Sequence, residues 1–304
     1  MIGYLGPKGT YTEQAARFFA DSLYAGRMAI RPYPSVSQTL DAVENGDVAA
    51  AAVPMENSLE GSILVTLDRL AVAPLRVSAE FTLPIRHAAF IIPGTDPERI
   101  LEIRSKPEAL AQCRRTLRMI MPHANHVDMD STAAAIHFVA QQGDPSIACV
   151  GDLEAGLAAG LRLLRMDVQD EVFNETRFAL IVRAGEELPG NMSAIHGAGE
   201  TPLPDVYKTS LLLALGDDHP GALFEVLGVF ARYGINLSRL ESRPTRRGLG
   251  SYHFYIDLLQ RDTDEAVRAA IVELGRLAGF SVKDLGSYAC YSPLEKPIDK
   301  KHEI

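Results

Sequence analysis

The sequence predicts an α/β chain of two lobes around a cleft, followed by a smaller βαββαβ unit, on three observations. From residue 1 to about 184, strand-like and helix-like segments alternate, which is the pattern of a sheet covered by helices. Gly185 to Val206 then loses periodicity and collects Gly, Pro, Ser and Asn, as in Gly197-Ala198-Gly199-Glu200-Thr201-Pro202, so it reads as a linker. Beyond it the order is strand, helix, strand, strand, helix, strand, a ferredoxin-like arrangement. A chain of 304 residues has length for two or three such units.

Met1 to Leu5 reads as a buried strand, and Thr10 to Ala20 as a helix with Ala15, Ala16, Phe18 and Phe19 on its spacing. Ile30 to Tyr33 is extended, Val36 to Glu44 is helical up to Gly46, and Val48 to Val53 is the next strand. Leu75 to Pro93 is a long β-rich run. Lys106 to Met121, His126 to Met129, Ser131 to Gln142 and Ile147 to Val150 then repeat the alternation and imply a second, similar lobe. Extended segments near Leu75 to Ile85 and Met166 to Val182 are placed to cross between lobes, making a cleft like that of a bilobed periplasmic solute-binding protein. In the C-terminal unit Tyr207 to Leu215, Asn236 to Ser242, Ser251 to Leu259 and Ser281 to Ser287 read as strands, and Gly221 to Tyr233 and Thr263 to Leu277 as helices. The expected division is residues 1–184, a linker 185–206, a unit 207–290 and a charged tail 291–304.

Apolar residues make up 47% and charged residues 23%, the balance of an ordinary globular protein. The apolar stretches fall short of the roughly 20 residues that cross a bilayer, and Met1-Ile2-Gly3-Tyr4-Leu5-Gly6 begins a strand instead of a charged signal region, so a cytoplasmic protein without a membrane partner is expected. Cys113, Cys149 and Cys290 are odd in number and lack C-x-x-C spacing, which supports neither a disulfide framework nor a zinc site. The net charge of -9 argues against a nucleic-acid partner and gives an anionic ligand no long-range attraction. Recognition of an anion must then be local.

Gly6-Pro7-Lys8-Gly9-Thr10 joins a strand to a helix, where backbone N–H groups and the helix dipole favour an anion. Its Lys-Gly-Thr order is wrong for a nucleotide-binding Walker loop, and Thr10 can equally cap the helix. Glu56-Asn57-Ser58 follows the strand ending at Val53, at the edge where open α/β sheets bind ligands, although a capped helix start would look the same. In Asn174-Glu175-Thr176-Arg177-Phe178, before the apolar run Ala179 to Val182, alternation puts Thr176 and Phe178 on one face and Arg177 on the other. Arg177 is then open to two roles, substrate contact or a structural ion pair. Ser131-Thr132-Ala133 opens a helix. His87 lies in an apolar run as a core histidine would, while His123 and His126 read as loop residues without a third metal ligand.

Taken in order from residue 1 to about 290, these motifs resemble the prephenate dehydratase family, whose Asn-x-Thr-Arg-Phe and Glu-Asn-Ser segments line one active site. The resemblance implies loss of carbon dioxide and water from prephenate to give phenylpyruvate, with no metal or organic cofactor. It implies Thr176, Glu56 and Asn57 as catalytic residues and Thr10, Ser58, Ser105, Gln112, Ser131, Thr132, Asn174, Arg177 and Phe178 as substrate contacts. The family assigns proton donation to the position of Thr176. An aliphatic hydroxyl is a very weak acid, so a hydrogen-bond donor or relay is the favoured role, with Glu56 as a possible partner acid. Ser105-Lys106-Pro107-Glu108 departs from the family's usual Ser-His-Pro-Gln by placing Lys106 for His and Glu108 for Gln.

His219-Pro220-Gly221-Ala222-Leu223-Phe224 and Glu241-Ser242-Arg243-Pro244 resemble the phenylalanine-binding ACT domain that follows the catalytic part in this family. That implies an effector pocket at Gly221, Ala222, Leu223, Asn236, Leu237, Glu241, Ser242 and Arg243, shared between paired domains in a homodimer or homotetramer. Motifs that begin at residue 3 leave no room for an N-terminal chorismate mutase. Two alternatives stay open: arogenate dehydratase, and a noncatalytic amino-acid sensor on the same scaffold.

Overall fold

The computed structural model describes residues 1–171, 173–186, 204–215, 219–245, 252–277 and 280–293; most of the expected linker and tail lies outside them. Lobe one opens with β1 (Ile2–Leu5), α1 (Tyr11–Phe18), β2 (Ile30–Tyr33) and α2 (Val36–Glu44). It continues through β3 (Ala50–Asn57), β4 (Gly61–Ser62), α3 (Leu64–Val72) and β5 (Leu75–Pro84). The chain then builds lobe two from β6 (Ala88–Ile91), β7 (Glu102–Ser105), α4 (Pro107–Gln112), α5 (Arg114–Ile120) and β8 (Asn125–Asp128). That lobe is completed by α6 (Thr132–Gln142), β9 (Ile147–Gly151), α7 (Leu153–Ala158) and β10 (Arg162–Arg165), before β11 (Glu175–Arg183) returns to lobe one. The C-terminal unit is β12 (Val206–Leu215), α8 (Ala222–Arg232), β13 (Leu237–Pro244), β14 (Tyr252–Leu258), α9 (Glu265–Leu274) and β15 (Phe280–Tyr291).

The long β-rich run expected over Leu75 to Pro93 divides at Ile85-Arg86-His87, where the chain leaves one sheet for the other. The returning segment runs alongside this crossing. Ile85 N donates to Asn174 O at 2.7 Å, Val168 N to His87 O at 2.9 Å and His87 N to Gln169 Oε1 at 2.9 Å, and Arg86 pairs with Asp167. Two adjacent crossing segments are what a bilobed cleft needs. The helix expected over Lys106 to Met121 breaks at Cys113, whose backbone leaves the helical region (φ -108°, ψ 5°).

The larger sheet runs β13-β14-β12-β15-β5-β11-β3-β1-β2, with β4 on β3, and the smaller one runs β10-β6-β9-β7-β8. The C-terminal unit therefore continues the sheet of lobe one. β15 lies parallel to β5 with Ala289 opposite Ala79, Cys290 opposite Glu80 and Tyr291 opposite Phe81. One apolar core spans the junction: Leu40, Leu67, Leu70 and Val77 of lobe one pack with Leu212, Tyr255, Leu285 and Tyr288. Each fully buried Leu here is worth about 1.5–3 kcal/mol of transfer free energy. The C-terminal unit also grips α3. Tyr255 Oη donates to Leu67 O at 2.7 Å, and Lys283 Nζ donates to Leu70 O at 2.7 Å and Ala73 O at 2.6 Å, satisfying carbonyls that the helix end leaves free.

Candidate active site

Between the lobes lies a cleft of about 760 Å³. Thr10, Asn57, Gln112, Ser131, Thr132, Asn174, Thr176 and Phe178 line it together, from both lobes and all along the chain. Thr10 caps α1, accepting from Glu13 N at 3.3 Å while its own hydroxyl donates to Leu5 O at 3.1 Å. Ser131 caps α6, accepting from Ala134 N at 3.0 Å. Both sequence-local roles of these hydroxyls, capping and bordering the cleft, are thus realised, and the amino ends of α1 and α6 turn their partial positive charge toward one space. Gly9 N, by contrast, donates to Glu13 Oε2 at 2.5 Å, so that loop N–H is already taken.

The centre of the cleft is a chain of side-chain amides. Asn57 Oδ1 accepts from Leu59 N at 2.9 Å and Glu60 N at 3.0 Å, which fixes the orientation of the amide. Its Nδ2 then faces Thr176 Oγ1 at 2.9 Å and Asn174 Oδ1 at 2.8 Å. Asn174 Nδ2 donates to Gln112 Oε1 at 2.9 Å, and Gln112 Nε2 to Glu60 Oε1 at 3.2 Å. Because Asn57 donates to the Thr176 oxygen, the threonine keeps its own proton for a group in the cleft. Asn57, Asn174 and Thr176 are each buried, so a ligand meets them already desolvated and oriented.

His87 borders the cleft, 3% exposed, with Nδ1 3.1 Å from Tyr11 Oη and Nε2 3.4 Å from Gln112 Oε1. Burial lowers its pKa to about 4, outweighing the hydrogen bond its ring donates to Gln112 Oε1 and the charge of Asp152, which raise it. The ring is neutral near pH 7 and supplies no imidazolium acid there. Its folded pKa lies below the ordinary value of 6.5, so between pH 6.5 and 4 the unfolded chain binds more protons and stability falls with pH. We expect this to cost up to about 3 kcal/mol at pH 4 relative to pH 7. Urea unfolding at both pH values checks it: His87→Gln should flatten that part of the profile, and an unchanged slope would remove His87 as its source.

Four predicted site residues lie off the cleft. Glu56 precedes Asn57 in β3 and so projects from the opposite face, where Arg177 Nη1 reaches its Oε2 at 2.6 Å. Its expected place as an acid beside Thr176 is corrected by strand alternation. Arg177 likewise faces away: Nη2 contacts Glu80 Oε2 at 2.6 Å and Asp257 Oδ2 at 3.0 Å, so it is the structural ion-pair residue. Burial opposes the charge of Arg177, but Glu80 and Asp257 outweigh it and hold its pKa above the ordinary arginine value. Ser58 Oγ accepts from Glu175 N at 3.0 Å and ties the turn after β3 to the start of β11. Ser105 is fully buried, donating to Val150 O at 2.6 Å.

Other lining residues were not assigned to the site from sequence, among them Tyr11, Glu60, Ile63 and Asp130. A signal existed for Tyr11 and Glu60, which sit one residue after Thr10 and three after Asn57. Lys106, in the position the family gives to His, is the only Lys or Arg among the described lining residues; its Nζ is 3.3 Å from Glu108 Oε2.

In the C-terminal unit Gly221 takes a left-handed conformation (φ 95°) and starts α8 with Ala222 and Leu223. Asn236 is exposed and Leu237 begins β13. Glu241 and Arg243 project toward lobe one, where Glu241 accepts from Ser62 Oγ and Arg243 Nη2 lies 3.2 Å from Asp68 Oδ1. Ser242, between them, is exposed on the other face.

Comparison with known proteins follows the same two-part division. The prephenate dehydratase family profile matches residues 2–186, and the ACT domain profile matches residues 210–276. The prephenate dehydratase of Bacillus subtilis (strain 168) is 34% identical over 294 residues, spanning 95% of this chain and 99% of its own length. Among solved structures, the prephenate dehydratase of Arthrobacter aurescens in complex with L-Phe is 35% identical with a TM-score of 0.80, covering 95% of this chain and 89% of that one. A structure described as GqqA, a novel type of quorum-quenching acylase, is 27% identical with a TM-score of 0.79, covering 95% and 98%.

Proposed function

The chain belongs to the prephenate dehydratase family, and we propose on that footing that its cleft converts prephenate to phenylpyruvate under control of phenylalanine at the ACT domain. The observation that carries the reading is the Thr176 hydroxyl, whose oxygen is engaged by Asn57 Nδ2 at 2.9 Å and whose proton is left for the substrate. In the reaction the bond from the ring to its carboxylate breaks and carbon dioxide leaves. That electron pair enters the ring, and the bond to the ring hydroxyl breaks on the far side, giving water once a proton is supplied. Aromaticity drives the step, so the protein's task is to orient the dianion and deliver one proton. The amino ends of α1 and α6 suit the pyruvyl carboxylate. The buried ring of Phe178, on the same side of β11 as Thr176, gives the departing carboxylate an apolar wall.

On this reading residues 1–184 are catalytic, 185–206 link, 207–290 regulate and 291–304 form a tail, in a cytoplasmic enzyme. Among the described residues no helix is long and apolar enough to cross a membrane. Phe224 is 78% exposed and Val272 53%, apolar surface that pairing of ACT domains in a homodimer or homotetramer would cover. Sedimentation of the full chain tests that pairing. An acyl-transfer chemistry like that named for the acylase would need a base on the attacking hydroxyl. Thr176 Oγ1 instead receives an amide donor, and His87 turns its Nδ1 to Tyr11, so the geometry favours the dehydratase.

Formation of phenylpyruvate from prephenate by the purified chain is the direct test, with arogenate offered in parallel; no turnover of either would overturn the reading. Lys106 contributes to binding on the same account. Its side chain is 44% exposed and paired with Glu108, so we expect Lys106→Met to raise KM by about tenfold and to lower kcat much less, the mark of uniform binding loss. A collapse of kcat at unchanged KM would make Lys106 part of the chemistry instead.

A further inference from the structure

The back of strand β11 carries a buried cluster of charge that the dehydration does not use. Thr176 and Arg177 are successive residues of β11, opposite Asn57 and Glu56 of β3. The first rung bonds into the cleft (Thr176–Asn57, 2.9 Å) and the second bonds on the other face (Arg177–Glu56, 2.6 Å). Immediately after Arg177 the pairing with β3 slips, Phe178 standing opposite Pro54, so on that side these two rungs end the ladder, while the pairing with β5 runs unbroken from Glu175 opposite Pro84 to Leu180 opposite Ala79. The rear rung is held by the C-terminal unit: Asp257 of β14 contacts Arg177 at 3.0 Å and Lys208 of β12 contacts Glu80 at 2.6 Å. Asp257 is itself fixed by Ser210 Oγ, which donates to its Oδ1 at 2.6 Å. Breaking that contact would leave Asp257, 2% exposed, buried without its ion pair, while Glu56 and Glu80 still hold Arg177, so movement of Asp257 pulls on Arg177 against them.

We infer that Arg177 is a positioning residue: gripped by Asp257, it sets the Thr176–Asn57 rung from behind, and displacement of the ACT sheet on phenylalanine binding reaches the cleft through that grip. This rests on the reading that phenylalanine acts at the ACT domain. The strands give a short lever, since one residue of β11 serves the chemistry and the next serves the regulatory unit.

The test uses the full chain. Asp257→Asn keeps the shape of the side chain and removes its charge. We expect kcat with prephenate to fall about tenfold to a hundredfold with KM nearly unchanged, as a misplaced catalytic group requires. The ratio of rates without and with saturating phenylalanine should collapse toward one while calorimetry still detects phenylalanine binding, and Asp257→Glu should restore part of both. Hydrogen exchange supplies a readout independent of turnover: phenylalanine should change exchange of the amides of residues 175–178 in the parent and not in Asp257→Asn. If prephenate is not consumed by the parent, the function assigned above fails and the exchange measurement still decides the grip. Should Asp257→Asn not fold, Ser210→Ala, which unhooks the carboxylate and also frees Tyr288 Oη, 2.7 Å from Ser210 Oγ, is expected to show the same loss in weaker form, with Tyr288→Phe as the control for that second bond. Parent-like kcat and a parent-like response to phenylalanine in a folded Asp257→Asn or Ser210→Ala would overturn the inference.

Discussion

Thr176→Ala is expected to lower kcat for prephenate by about 10² to 10⁴, the usual contribution of a positioned acid or relay. The fold should survive, because the hydroxyl bonds only within the cleft and its loss deletes one oxygen from a site bordered by water. Asn57 Nδ2 would still have Asn174 Oδ1 at 2.8 Å and Glu175 O at 3.2 Å, so no buried donor is orphaned. Thr176→Ser should recover part of the rate. Its hydroxyl can reach the same place, but without the β-methyl it has more rotamers and spends less time there. Saturation kinetics with circular dichroism on each variant measures the outcome. Near-parent kcat in the folded alanine variant would move proton delivery to another group.

The sequence carried the placement of Thr176 and Arg177 because period-two alternation is a local property. One residue entering the cleft obliges its neighbour to leave it. The same rule was available for Glu56 and Asn57, yet reading the strand as ending at Val53 hid it. β3 runs through Pro54 to Asn57, and Pro54 is tolerated because it sits where the pairing with β11 slips. Ending the strand at Val53 thus sent Glu56 to the wrong face. Helix α3 escaped notice for a different reason: Ile63 at its start offers no capping side chain. What settles α3 is burial of Leu67 and Leu70 against the C-terminal unit, a contact between positions far apart in sequence. The continuous sheet is of the same kind. Nothing local in Ser281 to Tyr291 tells that β5 lies beside it, so the extension of that strand past Ser287 becomes intelligible only once β12 and β5 flank it.

The seam between β15 and β5 makes Gly286→Ala a severely damaging small substitution outside the cleft. Gly286 has φ 117°, a conformation reserved for glycine, and a Cβ there would lie 2.2 Å from Val77 O, a backbone atom that cannot turn aside. Left-handed strain costs about 1–2 kcal/mol, and forcing a carbon into a packed seam adds about 1–3 kcal/mol. Gly94 provides the control. Its φ is 84°, but no atom stands within 4 Å of the added Cβ, so Gly94→Ala should show the conformational strain alone. The difference between the two variants in urea midpoint therefore reports the clash. The clash falls where the C-terminal unit is docked on lobe one, a few residues before Cys290 pairs with Glu80. Gly286→Ala should accordingly loosen the grip on Arg177 and weaken the response to phenylalanine at temperatures where the chain is still folded, whereas Gly94→Ala should keep it. Equal midpoints for the two variants would mean that β15 can draw away from Val77 freely, and the junction could not then transmit a displacement from the ACT sheet to Thr176.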